Sequence, residues 1–113
     1  ARARFTDVAW LIDAAFQPRQ VKYPESAFLY TAWQPLSTGD YAGLVTLVDD
    51  AGIEWVSVMQ PLNTAQPGEA LYGLALPPGI PPGTYHARVQ IVRAADESAL
   101  GTWAATAARN GVS

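Results

Sequence analysis

Residues 84–94, TYHARVQIVRA, decide the fold. Tyr85, Ala87, Val89 and Ile91 fall on one phase of a two-residue repeat, and His86, Arg88 and Gln90 fall on the other. That pattern belongs to a β-strand with one face on an apolar core and one toward solvent. The run is entered through residues 77–83, PPGIPPG, a stiff double turn in which proline presets φ and glycine takes the strained positions. It is left through a polar turn at 95–98.

The same rhythm extends outward in both directions. In residues 27–33, Phe28, Tyr30 and Ala32 face one way, and Leu29, Thr31 and Trp33 the other. Residues 41–49 are rich in Leu and Val. Residues 53–59 alternate Ile53, Trp55, Ser57 and Met59 against Glu54, Val56 and Val58. Residues 69–76 and 100–108 complete the set, and residues 109–113 read as a tail. Between 49 and 52, DDAG predicts a hairpin in which Gly52 supplies the positive φ of a type I turn with a bulge. Residues 35–40 form a loop, and the polar connection 60–68, with two prolines, predicts a crossing between sheets.

Residues 5–16 are ambiguous alone. Val8, Leu11, Ile12 and Ala15 fit a helical face, while Val8, Trp10 and Ile12 fit a strand face. Strand is the reading consistent with the rest of the chain. Gln17-Pro18 ends the run, and residues 21–25 add a short piece interrupted by Pro24. The prediction is one all-β domain over residues 1–113, a two-sheet antiparallel sandwich of about seven strands.

Composition narrows the function. Half of the 113 residues are hydrophobic and 15% are charged, enough for one core and unlike a disordered chain. So few charges leave uncharged or apolar surface, which points to contact with neighbours. The net charge is -3, and the basic residues are scattered apart from Arg2 and Arg4. No basic stripe is available to neutralise phosphates, so nucleic acid and polyanionic membrane surfaces are not expected partners. No apolar run approaches a bilayer span, so membrane insertion by this chain is not expected. No signal peptide is read at the start, ARARF, which a processed or excised fragment would share. The absence of cysteine removes disulfides, thiolate metal sites and a cysteine nucleophile.

The resemblance to known modules rests on three stretches: FLYTAWQPL at 28–36, LVTLVDDAG at 44–52 and QPGEALYGLALPPGIPPGTYHARVQIV at 66–92. Together they resemble bacterial immunoglobulin-like and fibronectin type III-like sandwich modules, which end a strand on aromatic-Trp-Gln and carry an LPPGxPPGTY turn. The resemblance covers most of the chain. It implies an accessory domain of a larger secreted or membrane-bound bacterial protein, with an extracellular or cell-surface setting. Gly73 inside a strand and the alanine-rich last strand depart from that pattern.

Catalytic and metal chemistry find little material. His86 is the single histidine, on the polar phase of its strand, and builds no metal site without ligands from elsewhere. Asp40, Asp49, Asp50 and Glu54 offer oxygens to calcium. The Asp49/Asp50 pair, however, sits where aspartate is favoured by local backbone hydrogen bonds, and the spacing is not that of an EF-hand. No nucleophile elbow, grouped carboxylate pair or phosphate-cradling glycine loop is found. No cofactor, no metal and no enzymatic activity are expected.

Two non-catalytic readings remain. In the first, the domain holds protein neighbours or copies of itself through β-edges and apolar surface, with Ala104, Ala105, Ala107 and Ala108 of the last strand letting another backbone approach. In the second, it binds polysaccharide on an aromatic platform drawn from Trp10, Trp55, Trp103, Tyr41 and Tyr72. Trp33 is assigned to the core.

Overall fold

The computed structural model describes residues 3–18, 20–96 and 99–112, the last stretch as backbone alone. Nine strands follow in chain order: β1 (Ala3–Phe5), β2 (Ala9–Phe16), β3 (Gln20–Val21), β4 (Ser26–Pro35), β5 (Tyr41–Asp49), β6 (Glu54–Pro61), β7 (Gly68–Ala75), β8 (Gly83–Arg93) and β9 (Ala99–Val112). They form a four-stranded sheet in the order β1-β2-β4-β7 and a five-stranded sheet in the order β3-β9-β8-β5-β6. β3 runs parallel to β9, and the other pairings described are antiparallel. The all-β sandwich read from the sequence is the observed architecture.

Two boundaries differ from expectation. The run at 5–16 is broken by a turn in which Thr6 has φ 48°, so β1 folds back on β2 as a three-residue edge. The expected tail is strand through Val112. Asn110 pairs with Tyr85, and Gly111 with both Thr84 and Gln20. Those partners lie far away in sequence, so local composition at 109–112 gave no sign of them.

Alternation places the core. Leu29, Thr31 and Trp33 of β4 point inward against Leu11, Ala14 and Phe16 of β2, while Val45 and Leu47 of β5 face Val89 and Ala87 of β8. Each fully buried leucine or phenylalanine stabilises the fold by roughly 1.5–3 kcal/mol. Thr31 is buried but satisfied. The Trp33 indole N–H donates to its hydroxyl oxygen at 2.9 Å, and that hydroxyl donates to the Ala70 carbonyl at 2.8 Å. The chain therefore ties β4 to β7 inside the core as well as along the ladder.

The predicted turn at 49–52 forms. The Gly52 N–H donates to the Asp49 carbonyl at 3.0 Å, with Gly52 at φ 85°. The Asp49 carboxylate accepts the N–H groups of Ala51 and Ile53 at 2.9 Å each and the Trp55 indole N–H at 3.0 Å. Its pKa is lowered, chiefly by the Trp55 bond and then by the backbone donors. Trp55 is the extra residue of a β-bulge, because Val48 pairs with Glu54 and Leu47 with Val56.

Candidate functional site

The sandwich has two unlike flanks. On one, the sheets end in β1 and β3, of three and two residues. On the other they end in β6 and β7, of eight residues each. A long edge strand presents unpaired N–H and C=O groups to any extended chain that arrives. β6 is interrupted by the Trp55 bulge and closed by Pro61, both devices that blunt an edge. β7 has neither. Its eight residues, GEALYGLA, pair with β4 without a register shift from Gly68 to Ala75.

The inward residues on this flank are incompletely covered. Val56 and Val58 of β6, with Leu62 and Ala70, pack on the core but stay half-buried. Between the two edges lies a cleft of about 270 Å³ lined by Trp33, Gln60, Leu62, Gly68 and Ala70. That is below the roughly 300–1,000 Å³ usual for small-molecule sites, so it suits a side chain better than a cofactor. Gln60 reaches across it and donates to the Leu71 carbonyl at 2.9 Å.

The outer face of the four-stranded sheet continues the exposed surface. Tyr30 pairs with Leu71 and Phe28 with Gly73, all on the phase opposite the core. Phe28 is 38% exposed and Leu71 50%. The Phe28 ring lies across bare Gly73, where a β-carbon would stand 3.2 Å from its Cε1. Ala15 and Ala32 lie beside Tyr30 and Asp13 on the neighbouring strand positions. The Tyr30 hydroxyl donates to the Glu69 carboxylate, and that bond raises the phenol pKa. This face was legible in the sequence as the second phase of residues 27–33, but nothing local marked it as the exposed one.

The residues expected to form a sugar platform are not brought together. Tyr72, a candidate surface residue from its sequence, is fully buried, because the inward phase of β7 runs through Ala70, Tyr72 and Leu74. Among the described residues its hydroxyl has no hydrogen-bond partner, and burial pushes its pKa up to about 12. Trp10 is half-buried on the outer face of the four-stranded sheet, with the Arg4 guanidinium carbon 6.0 Å from its ring. Tyr41 opens β5 and Trp55 is the second residue of antiparallel β6, so they lie at opposite ends of that hairpin. Trp55 meets Tyr85 edge-on, with ring centroids 6.4 Å apart at 80°. The side chains of Trp103, Ala104, Ala105, Ala107 and Ala108 lie outside the described residues.

The charged groups serve local structure. His86 Nε2 lies 2.7 Å from an Asp50 oxygen, and Arg88 donates to Glu54 at 2.6 Å, both across the outer face of the five-stranded sheet. Arg4 pairs with Asp7 at 2.8 Å. Among the described residues, no three His, Cys, Asp or Glu side chains gather as a metal site.

Comparison with known proteins adds a fold likeness. No protein-family model and no curated protein matches the chain. A solved structure of the Pseudomonas fluorescens alkylpurine DNA glycosylase AlkC, bound to DNA containing an abasic site analog, superposes with a TM-score of 0.56 at 11% identity. The match covers 96% of this chain and 31% of that one. A glycosyl hydrolase family 2 member from Bacteroides cellulosilyticus DSM 14838 superposes with a TM-score of 0.53 at 12% identity. It covers 92% of this chain and 14% of that one. At such identities the likeness concerns fold alone. The chain spans well under half the length of either protein.

Proposed function

We propose that this chain is an immunoglobulin-like interaction module, non-catalytic, carried in a larger bacterial cell-surface or secreted protein and contacting protein neighbours through its β6–β7 flank. The observation that carries the reading is that flank: two eight-residue edges above half-buried valines, next to exposed Leu71 and Phe28. Exposed apolar surface beside an open sheet edge favours β-strand addition and side-chain packing together.

The immunoglobulin-like assignment is supported by strand order and by Tyr85. Near the start of β8 its hydroxyl donates to the Pro81 carbonyl at 2.6 Å, pinning the preceding turn. A tyrosine so placed, bonded to backbone a few residues upstream, is a hallmark of such sandwiches. The setting in a larger protein is supported by the resemblance of residues 28–36, 44–52 and 66–92 to accessory modules.

A photo-crosslinking amino acid placed at position 71, and for comparison at exposed position 22, tests the reading in the natural host cell. Protein adducts formed at 71 and absent at 22 are expected. A glycan array run on the same chain gives the opposing outcome. Specific glycan binding lost in Trp10→Ala, together with no protein adduct at 71, would overturn the reading in favour of polysaccharide recognition.

A further inference from the structure

We infer that the edge of β7 pairs with β7 of a second copy of this chain, antiparallel across a two-fold axis, joining two four-stranded sheets into one. The inference rests on the interaction reading and names its partner. Three observations support it.

The first is which groups point outward. The Ala70 carbonyl accepts from Thr31 of β4 and so points toward β4, while the next carbonyl, that of Leu71, accepts from Gln60 of β6. Backbone groups alternate in direction along a strand, so the N–H and C=O groups of Glu69, Leu71, Gly73 and Ala75 face the open edge. An antiparallel partner of the same sequence must match odd positions with odd positions, and a two-fold axis at Tyr72 does so. Leu71 then lies opposite Gly73 of the second copy, and Glu69 opposite its Ala75.

The second is shape and charge. In that register the bulkiest exposed side chain of β7, Leu71, meets the position without a side chain, Gly73. There it finds the Phe28 ring, which lies over Gly73 and is itself exposed. Glu69, the single charge on the strand, meets an alanine and so avoids its own copy. Like charges directly opposite would oppose pairing.

The third is the lack of a guard. Lysine, proline, bulges and short length are the usual protections of an edge. β7 has no lysine, proline or bulge over its eight residues and a single charge, Glu69, near one end, whereas β6 beside it has a bulge and a terminal proline. Among the described residues the Gln60 amide occupies the edge, and it must swing aside for the strands to meet.

Sedimentation and disulfide trapping test the pairing. The chain is expected to show a concentration-dependent monomer–dimer equilibrium. Leu71→Lys should weaken it by roughly tenfold or more, since an edge lysine opposes strand addition. Gln60→Ala should tighten it by removing the competing bond. The natural sequence has no cysteine, so introduced thiols report cleanly. Chains bearing Glu69→Cys mixed with chains bearing Ala75→Cys should oxidise to a disulfide-linked dimer, and either alone should not, because facing residues in such a register lie within disulfide reach. Residues 69 and 75 are exposed, so these variants keep the fold. A chain that sediments as a monomer up to its solubility limit overturns the inference. So does a dimer that traps no faster in the mixture than in either variant alone. In both cases adducts at position 71 to a different protein would leave the broader interaction reading standing.

Discussion

The flank that ends in β1 and β3 and the flank that ends in β6 and β7 close the same sandwich by different means. Beside the first lie Phe5, Phe16 and Val21, all buried, under edge strands too short to pair with anything further. Along the second run full-length strands over half-buried valines. There one deeply buried side chain spans the layers, inside the surface bridge that Gln60 makes to Leu71. Tyr72 reaches from β7 to Gly43 on β5, where a β-carbon would stand 2.1 Å from the tyrosine hydroxyl. The difference teaches that one flank is finished by apolar packing. The other is held by a tyrosine that fits only because its partner lacks a side chain.

Gly43→Ala should therefore be the most damaging small change on the open flank. Overpacking a tight site costs about 1–3 kcal/mol, and the top of that range is expected here. Urea denaturation would read it as a lowered midpoint. Adding Tyr72→Phe should restore most of the loss, because the next nearest ring atom, Cζ, is 3.1 Å away. An alanine that leaves the midpoint unchanged would mean that Tyr72 does not brace this flank.

Alkali attacks the same contact. Burial raises the Tyr72 pKa to about 12. The unfolded chain ionises near the ordinary tyrosine value, about 10, while the folded chain holds its proton. The stability contributed is thus complete below that ordinary value and is lost as pH rises toward about 12. The loss is about 2–3 kcal/mol at roughly 1.4 kcal/mol per pH unit. Urea midpoints followed through this range should fall in the natural chain and fall less in Tyr72→Phe. The remaining slope belongs in part to Tyr85 and Tyr30, whose pKa values are also raised. Equal slopes in both chains would break the assignment.

At neutral pH Tyr72→Phe alone should stabilise the fold by about 1 kcal/mol. A buried hydroxyl without a partner keeps its desolvation cost and gains no bond.

The sandwich was readable because strand alternation is a local property. Tyr85, Ala87, Val89 and Ile91 turn inward as their spacing requires. The turn at Asp49 was readable for the same reason, since its hydrogen bonds close within five residues. The open flank was not. Which strand ends a sheet depends on topology, and β7 looks no different from an interior strand along its own eight residues. Tyr72 misled for a related reason. Surface and core tyrosines share a sequence signal, and what distinguishes this one is Gly43, twenty-nine positions earlier, across the sandwich. Gly73 carried a local signal of its own: a glycine within an alternating run predicts a close approach, and the Phe28 ring makes it.

The smallest expected effect sharpens the contrast most. Leu71 and Leu74 lie three residues apart on β7, the first 50% exposed and the second fully buried. Leu74→Lys would bury a charge without a partner and unfold the chain. Leu71→Lys should alter the stability of the isolated monomer by no more than about 0.5 kcal/mol, the usual range for surface changes. It should nonetheless remove the apolar ridge that an incoming strand would meet. Urea midpoints measured at dilution, where association is negligible, separate the two effects. A large loss from Leu71→Lys under those conditions would mean that Leu71 is already packed against its own chain, and that the β6–β7 flank is as closed as its opposite.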